Sequence, residues 1–120
     1  MSKLIHFEIL ADDPHKAAIF YNTILGWQIN SWDPMPDYLL VTTDPDDKTA
    51  VNGAIMQREF AQAVINTFEV ESLEAALEKV IAAGGRKLHG PNLIPGVGSH
   101  AYCTDPEGNM FGLMEPAPRN

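Results

Sequence analysis

Several things are scarce in this chain, and each scarcity removes a class of function. There is one cysteine, Cys103, in 120 residues. A lone thiol closes no internal disulfide, and in an apolar extended stretch it reads as a small core residue rather than a nucleophile. Basic residues are few: 8 Lys and Arg stand against 16 Asp and Glu, a formal charge of −8. No basic patch exists to release counterions from phosphates, so nucleic acid is not an expected partner. The acidic surface serves solubility and is compatible with a cationic ligand. No apolar run approaches the roughly 20 residues that span a bilayer. Met1-Ser2-Lys3 leads into no signal-peptide core. The expectation is a cytoplasmic protein with no membrane partner. There is also no CxxC pair and no Ser or Cys elbow. Gly96-x-Gly98 precedes a strand rather than a helix, so it lacks the N-terminal dipole that cradles phosphate.

What is present begins with Leu4–Ile29. Ile5-His6-Phe7-Glu8-Ile9 alternates apolar and polar residues, the period of a half-buried strand. Asp13-Pro14 opens a helix, because Asp caps well and proline loses nothing where the N–H has no partner. Ala17, Phe20, Tyr21, Ile24 and Leu25 form an apolar stripe, and Gly26 stops the helix. Trp27-Gln28-Ile29 begins the next extended run.

Asn30–Asp37, with two prolines, reads as a loop. Tyr38–Thr43 and Val51–Gln57 read as strands separated by the Asp44-Pro45-Asp46-Asp47 turn. The pattern then restarts. Val64–Val70 is a strand, and Ser72 caps a helix with Leu73, Ala76, Leu77, Val80 and Ile81 on one stripe. Gly84-Gly85 ends that helix, and His89–Ser99 reads as a loop. His100–Thr104 and Met110–Glu115 are the last strands. A shift of 59 lays Asp13-Pro14 on Ser72-Leu73 and Gly26 on Gly85. A shift of 61 lays Thr43-Asp44-Pro45-Asp46 on Thr104-Asp105-Pro106-Glu107. One domain built from two modules, about residues 3–60 and 61–117, is the inference.

The expected fold is α+β: two βαβββ modules forming a curved mixed sheet, with the helices on the outer face. Each helix covers one face only. Phe7 and Ile9 suit the helix side, so His6 and Glu8 point to the opposite face. If the two sheets curve together, that face lines a cleft, the usual place for a ligand.

These residues resemble the vicinal-oxygen-chelate superfamily, which includes glyoxalase I, bleomycin-resistance proteins and extradiol dioxygenases. The resemblance rests on His6-Phe-Glu-Ile, Asp13-Pro14, Phe20-Tyr21 and Leu25-Gly26-Trp27 in the first half. In the second half it rests on Ala82-Ala-Gly-Gly85, Ile94-Pro-Gly-Val-Gly98, Tyr102, Asp105-Pro-Glu-Gly-Asn109 and Phe111-Gly112-Leu113. It implies a homodimer with a small-molecule site in the cleft. Metal-dependent relatives hold a divalent ion with His and Glu on the first and last strand of each module.

His6 matches the first ligand position. Its counterpart in the second module is Ile65, and the last-strand position falls on Gly112, which has no side chain. Gln57 and Glu115 are weak further candidates, and one clear ligand does not hold a metal. The expectation is therefore a metal-free small-molecule binder with no cofactor. A metal-assisted lyase, isomerase or dioxygenase is the alternative. His6 and Glu8 are the candidate acid–base pair. Trp27, Gln57, His100, Tyr102, Met110 and Met114 are the candidate ligand contacts, with Met56 and Trp32 nearby. His100 and Tyr102 share a strand face. The methionines offer adaptable walls.

Overall fold

A computed structural model describes residues 1–118. Its elements run β1 (Leu4–Ala11), α1 (Pro14–Leu25), β2 (Gln28–Trp32), β3 (Met35–Thr42), β4 (Asn52–Gln57), β5 (Val64–Glu69), α2 (Leu73–Ala82), β6 (Arg86–Ile94), β7 (Gly98–Thr104) and β8 (Met110–Pro116). The fold is α+β, with βαβββ twice in the chain. No helix is long and apolar enough to cross a membrane. The chain divides into two compact units: His6–Ile65, and residues 1–5 with the chain from Asn66 onward.

In the first unit the strand order is β2-β3-β4-β1. β1 and β4 are parallel, and the other neighbours are antiparallel. Asp13 caps α1 by accepting the Lys16 N–H, and Pro14 takes the first turn. Gly26 closes the helix at φ 71°, a conformation that needs no Cβ. The apolar stripe is rotated from the expected one. Pro14 and Ala18 are buried, and Ala17 and Tyr21 pack on the core. Phe20, Ile24 and Leu25 are instead more than half exposed. The two alanines let the helix backbone approach the sheet, and this sets which face turns inward. The core joins Leu39, Val41 and Ile55 to Phe7, Trp27 and Ile29.

The predicted loop at Asn30–Asp37 shrinks to the Asp33-Pro34 turn between β2 and β3. The two prolines suggested more irregularity than there is. Ser31 pairs with Leu39 and Trp32 with Met35, so Pro36, Asp37 and Tyr38 form a bulge. β4 pairs β3 only at Leu39–Val41, so no ladder hydrogen bond is asked of Pro36.

The second unit repeats the scheme as β5-β8-β7-β6, with β5 and β8 parallel. Ser72 caps α2 by accepting the Ala75 N–H. Leu73, Ala76, Leu77 and Val80 pack on Ala101, Cys103, Leu113, Phe68 and Phe111, while Ile81 turns outward. The expected loop at His89–Ser99 is mostly strand: β6 continues to Ile94. It lies at the end of this unit's strand order and shifts register on both sides of His89, which accommodates Gly90-Pro91.

Candidate functional site

β1 places alternate side chains on opposite faces of the first unit's sheet. Phe7 and Ile9 join the helix-side core, so His6 and Glu8 take the other face. Glu8 is 3% exposed, a buried carboxylate that requires partners. Tyr38 is one. Its Oη donates to Glu8 Oε2 at 2.7 Å and lies 2.8 Å from His6 Nε2. The hydroxyl has one proton and gives it to the carboxylate, so it must accept from His6 Nε2–H. This fixes the imidazole tautomer. Nδ1 carries the lone pair, and it has no hydrogen-bond partner among the described residues. Burial pushes the His6 pKa below 6.5, and the negative charge of Glu8 opposes that shift in part. His6 is thus a neutral imidazole with one nitrogen committed and one open.

The sequence explains how Tyr38 reaches this far. Glu8 pairs with Ala54 across β1 and β4, and Ala54 pairs with Leu40 across β4 and β3. Tyr38, two residues before Leu40, shares that face. The β3 bulge frees it from the β2 ladder, and the small Ala54 leaves room for a phenol ring to lie across the row. Trp32 packs against the Tyr38 ring at 5.6 Å. Tyr38 is the functional candidate that sequence reading missed, because the prolines just before it resembled a loop.

The other candidates lie elsewhere. Gln57 pairs with Ala11 and donates to the Asp12 carbonyl, whereas His6 pairs with Asn52. Five residues of strand separate Gln57 from His6, roughly 16 Å. Glu115 accepts the Leu73 N–H at 2.8 Å and so serves the start of α2. Trp27 stacks on Tyr21 at 5.2 Å and tilts on Phe7 at 5.5 Å, which makes it core. Met56 is buried opposite Leu10.

In the second unit, His100 and Tyr102 meet edge to face at 4.5 Å. Met110 is buried opposite Thr104, and half-buried Met114 pairs with His100. The register row Thr67–Gly112–Tyr102 matches Glu8–Ala54–Leu40 of the first unit. His100, two residues before Tyr102, therefore corresponds to Tyr38. Thr67 is the second residue that sequence reading missed. The shift of 59 does lay Glu8 on Thr67.

A divalent ion does not fit the donors at the positions that metal-dependent relatives use. His6 Nε2 is spent on Tyr38, Gln57 is remote, Ile65 is apolar, Gly112 has no side chain and Glu115 caps a helix. Among the described residues no group of three or more His, Cys, Asp or Glu side chains is placed to hold a metal ion.

Comparison with known proteins agrees with the architecture. Residues 3–44 match the family model described as bleomycin resistance protein-like N-terminal. The Mycobacterium tuberculosis protein named "Putative glyoxylase CFP32" is 30% identical over 119 residues, which is 97% of this chain. The chain spans 45% of that relative's length. Among solved structures, methylmalonyl-CoA epimerase from Mycobacterium tuberculosis aligns with a TM-score of 0.67 at 18% identity, over 96% of this chain and 88% of the other. A glyoxalase/bleomycin resistance protein/dioxygenase superfamily member from Vibrio splendidus aligns with a TM-score of 0.68 at 15% identity, over 94% and 97%. The repeated βαβββ unit, the matched N-terminal segment and the 30%-identical relative liken the chain to the glyoxalase/bleomycin resistance protein/dioxygenase superfamily, whose solved members share its fold.

Proposed function

We propose that this chain binds a small molecule without a metal, using the polar face of the first unit, and that it sequesters, carries or senses that ligand. The hydrogen-bonded set His6–Tyr38–Glu8 carries the reading. It commits the imidazole nitrogen that faces Tyr38 and leaves Nδ1 to accept a hydrogen bond from a ligand O–H or N–H. Trp32 and Tyr38 add aromatic surface for a planar or apolar body.

The test combines metal analysis with titration. Protein purified without chelators or a metal-affinity tag is expected to carry far less than one divalent ion per chain. A thiol hemiacetal adduct, bleomycin and catechol are then titrated with chelator present, and the His6 imidazole resonances are followed. At least one of the three should shift them saturably, and His6→Ala, followed through the Tyr38 and Trp32 ring resonances, should abolish that binding. One tightly held ion per chain, lost in His6→Ala, would overturn the reading.

The depressed basicity of His6 favours a second reading, a metal-free acid–base enzyme. Nδ1 would take a proton from a ligand, and Tyr38 would link the resulting imidazolium to the Glu8 carboxylate. Its mark would be turnover of one of those compounds in chelator, with a rate that falls as His6 is protonated.

A further inference from the structure

In the second unit, α2 and the sheet beneath it border a groove of about 560 Å³, a size that suits a small organic molecule. Its apolar floor follows one face of the helix through Leu73, Leu77 and Ile81. Leu73 and Leu77 also pack on the core, while Ile81 stays 58% exposed at the far end. The same stretch of helix brings Glu74 and Glu78 to the groove, one turn apart. Like charges at that spacing repel. Neither carboxylate has an ion-pair or hydrogen-bond partner among the described residues.

The sheet supplies the other charges. Leu113 belongs to the helix-side core, so Glu115, two residues on, projects to that side from β8. One Glu115 oxygen accepts the Leu73 N–H, and the other has no partner among the described residues. Cys103 also belongs to that core, so its register partner Lys87 projects to the same side from β6. Lys87 makes no ion pair among the described residues. Three carboxylates and one ammonium therefore line an apolar floor. Glu115 marks the end near the start of α2, and Lys87 the end near its close.

The first unit has the same groove without the charge. A shift of 59 lays His15, Ala18, Ile19 and Asn22 on Glu74, Leu77, Glu78 and Ile81. Those four line a groove of about 330 Å³ beside β2 and β3, and no carboxylate is among its lining residues. The groove comes from the fold, and its negative charge comes from the second unit's own sequence.

We propose that the α2 groove binds an organic monocation with an apolar body, an amine on an alkyl or aryl chain. The chain lies along Leu77 and Ile81. The ammonium takes the Glu115 end, donates to the open Glu115 oxygen and relieves the repulsion between Glu74 and Glu78. Lys87 opposes a second positive charge at the other end, which disfavours polyamines. Charge complementarity over an apolar floor carries the choice of ligand. The site uses no residue of the first unit and does not rest on His6.

The probes are octylammonium, octanoate, tetramethylammonium and spermidine, titrated into the full chain at submicellar concentrations. The methyl resonances of Leu77 and Ile81 report binding, and those of Ile19 and Ile29 in the first unit's groove serve as the control. Octylammonium should shift Leu77 and Ile81 saturably and leave Ile19 and Ile29 unmoved. Octanoate has the chain without the positive charge, tetramethylammonium the charge without the chain, and spermidine several charges; each should bind tenfold or more weakly. Glu74→Gln with Glu78→Gln should weaken octylammonium tenfold or more, and Ile81→Ser should weaken it measurably. All three positions are exposed, so the fold withstands these changes. No saturable response to octylammonium, equal binding of any other probe, or an equal response at Ile19 and Ile29 would each overturn the proposal. So would unchanged affinity in the double Gln variant or in Ile81→Ser.

Discussion

The two units build the same row of residues and finish it differently. In the first, Glu8, Tyr38 and His6 close into a hydrogen-bonded set, with Ala54 opposite Glu8 on the neighbouring strand. In the second, Thr67, Gly112 and His100 occupy the matching positions, and the Thr67 hydroxyl stays unpartnered. The strand order and the central register match, but His100 is paired with Met114 whereas Tyr38 lies in the β3 bulge, so backbone and side chains both differ. One row keeps a buried carboxylate satisfied from within the chain. The other leaves a neutral hydroxyl without a hydrogen-bond partner among the described residues, a smaller cost.

The largest test of that contrast is Tyr38→Phe. It removes the proton given to Glu8 and the acceptor offered to His6, so denaturant unfolding should show a loss of about 2–3 kcal/mol. An unchanged midpoint would mean that the first row is not held by these bonds. Next comes Gly112→Ala, whose added methyl has no room beside Thr67 Oγ1 and His100 Nε2. It should cost about 1–3 kcal/mol as an overpacked site. The reciprocal Ala54→Gly should cost only roughly 0.5–1 kcal/mol, because it removes a side chain and crowds nothing.

A third effect depends on pH. The folded-state pKa of His6 lies below the 6.5 of an unperturbed histidine, because burial disfavours the imidazolium. Between the two values the unfolded chain binds a proton that the folded chain does not. Stability should therefore be full above about pH 6.5 and fall as pH drops toward the folded pKa. His6→Gln should flatten that slope in unfolding curves taken between about pH 5 and about pH 8. A slope that survives in His6→Gln would assign the effect to other groups. The smallest effect concerns helix entry. α1 starts on Asp13 and Pro14, whereas α2 adds the Glu115 carboxylate on Leu73 N–H to its Ser72 cap. Glu115→Gln should cost about 0.3–1 kcal/mol in denaturant unfolding.

Much of this was legible in the chain itself. The period-2 pattern of Ile5–Ile9 put His6 and Glu8 on one face. Asp13-Pro14 and Gly26 marked α1 to the residue, because capping is local chemistry. What stayed hidden depended on packing or on distant pairing. The inward face of α1 turns on two alanines that a hydrophobicity count passes over. Tyr38 stood behind Pro34 and Pro36, and only the β3 bulge reveals its reach to β1. Thr67 became visible as a candidate when its hydroxyl proved to have nothing to bond. Glu115 resembled a ligand until the start of α2 was seen to claim it.

The tautomer of His6 is the most direct measure of the central claim. Long-range proton–nitrogen correlation of the imidazole at neutral pH, with and without a divalent metal, reads it in one experiment. The expected result is a neutral ring protonated at Nε2, unchanged by metal, whose Nε2–H signal is perturbed in Tyr38→Phe. A ring protonated at Nδ1, or a stoichiometric shift on adding metal that vanishes with chelator, would contradict it.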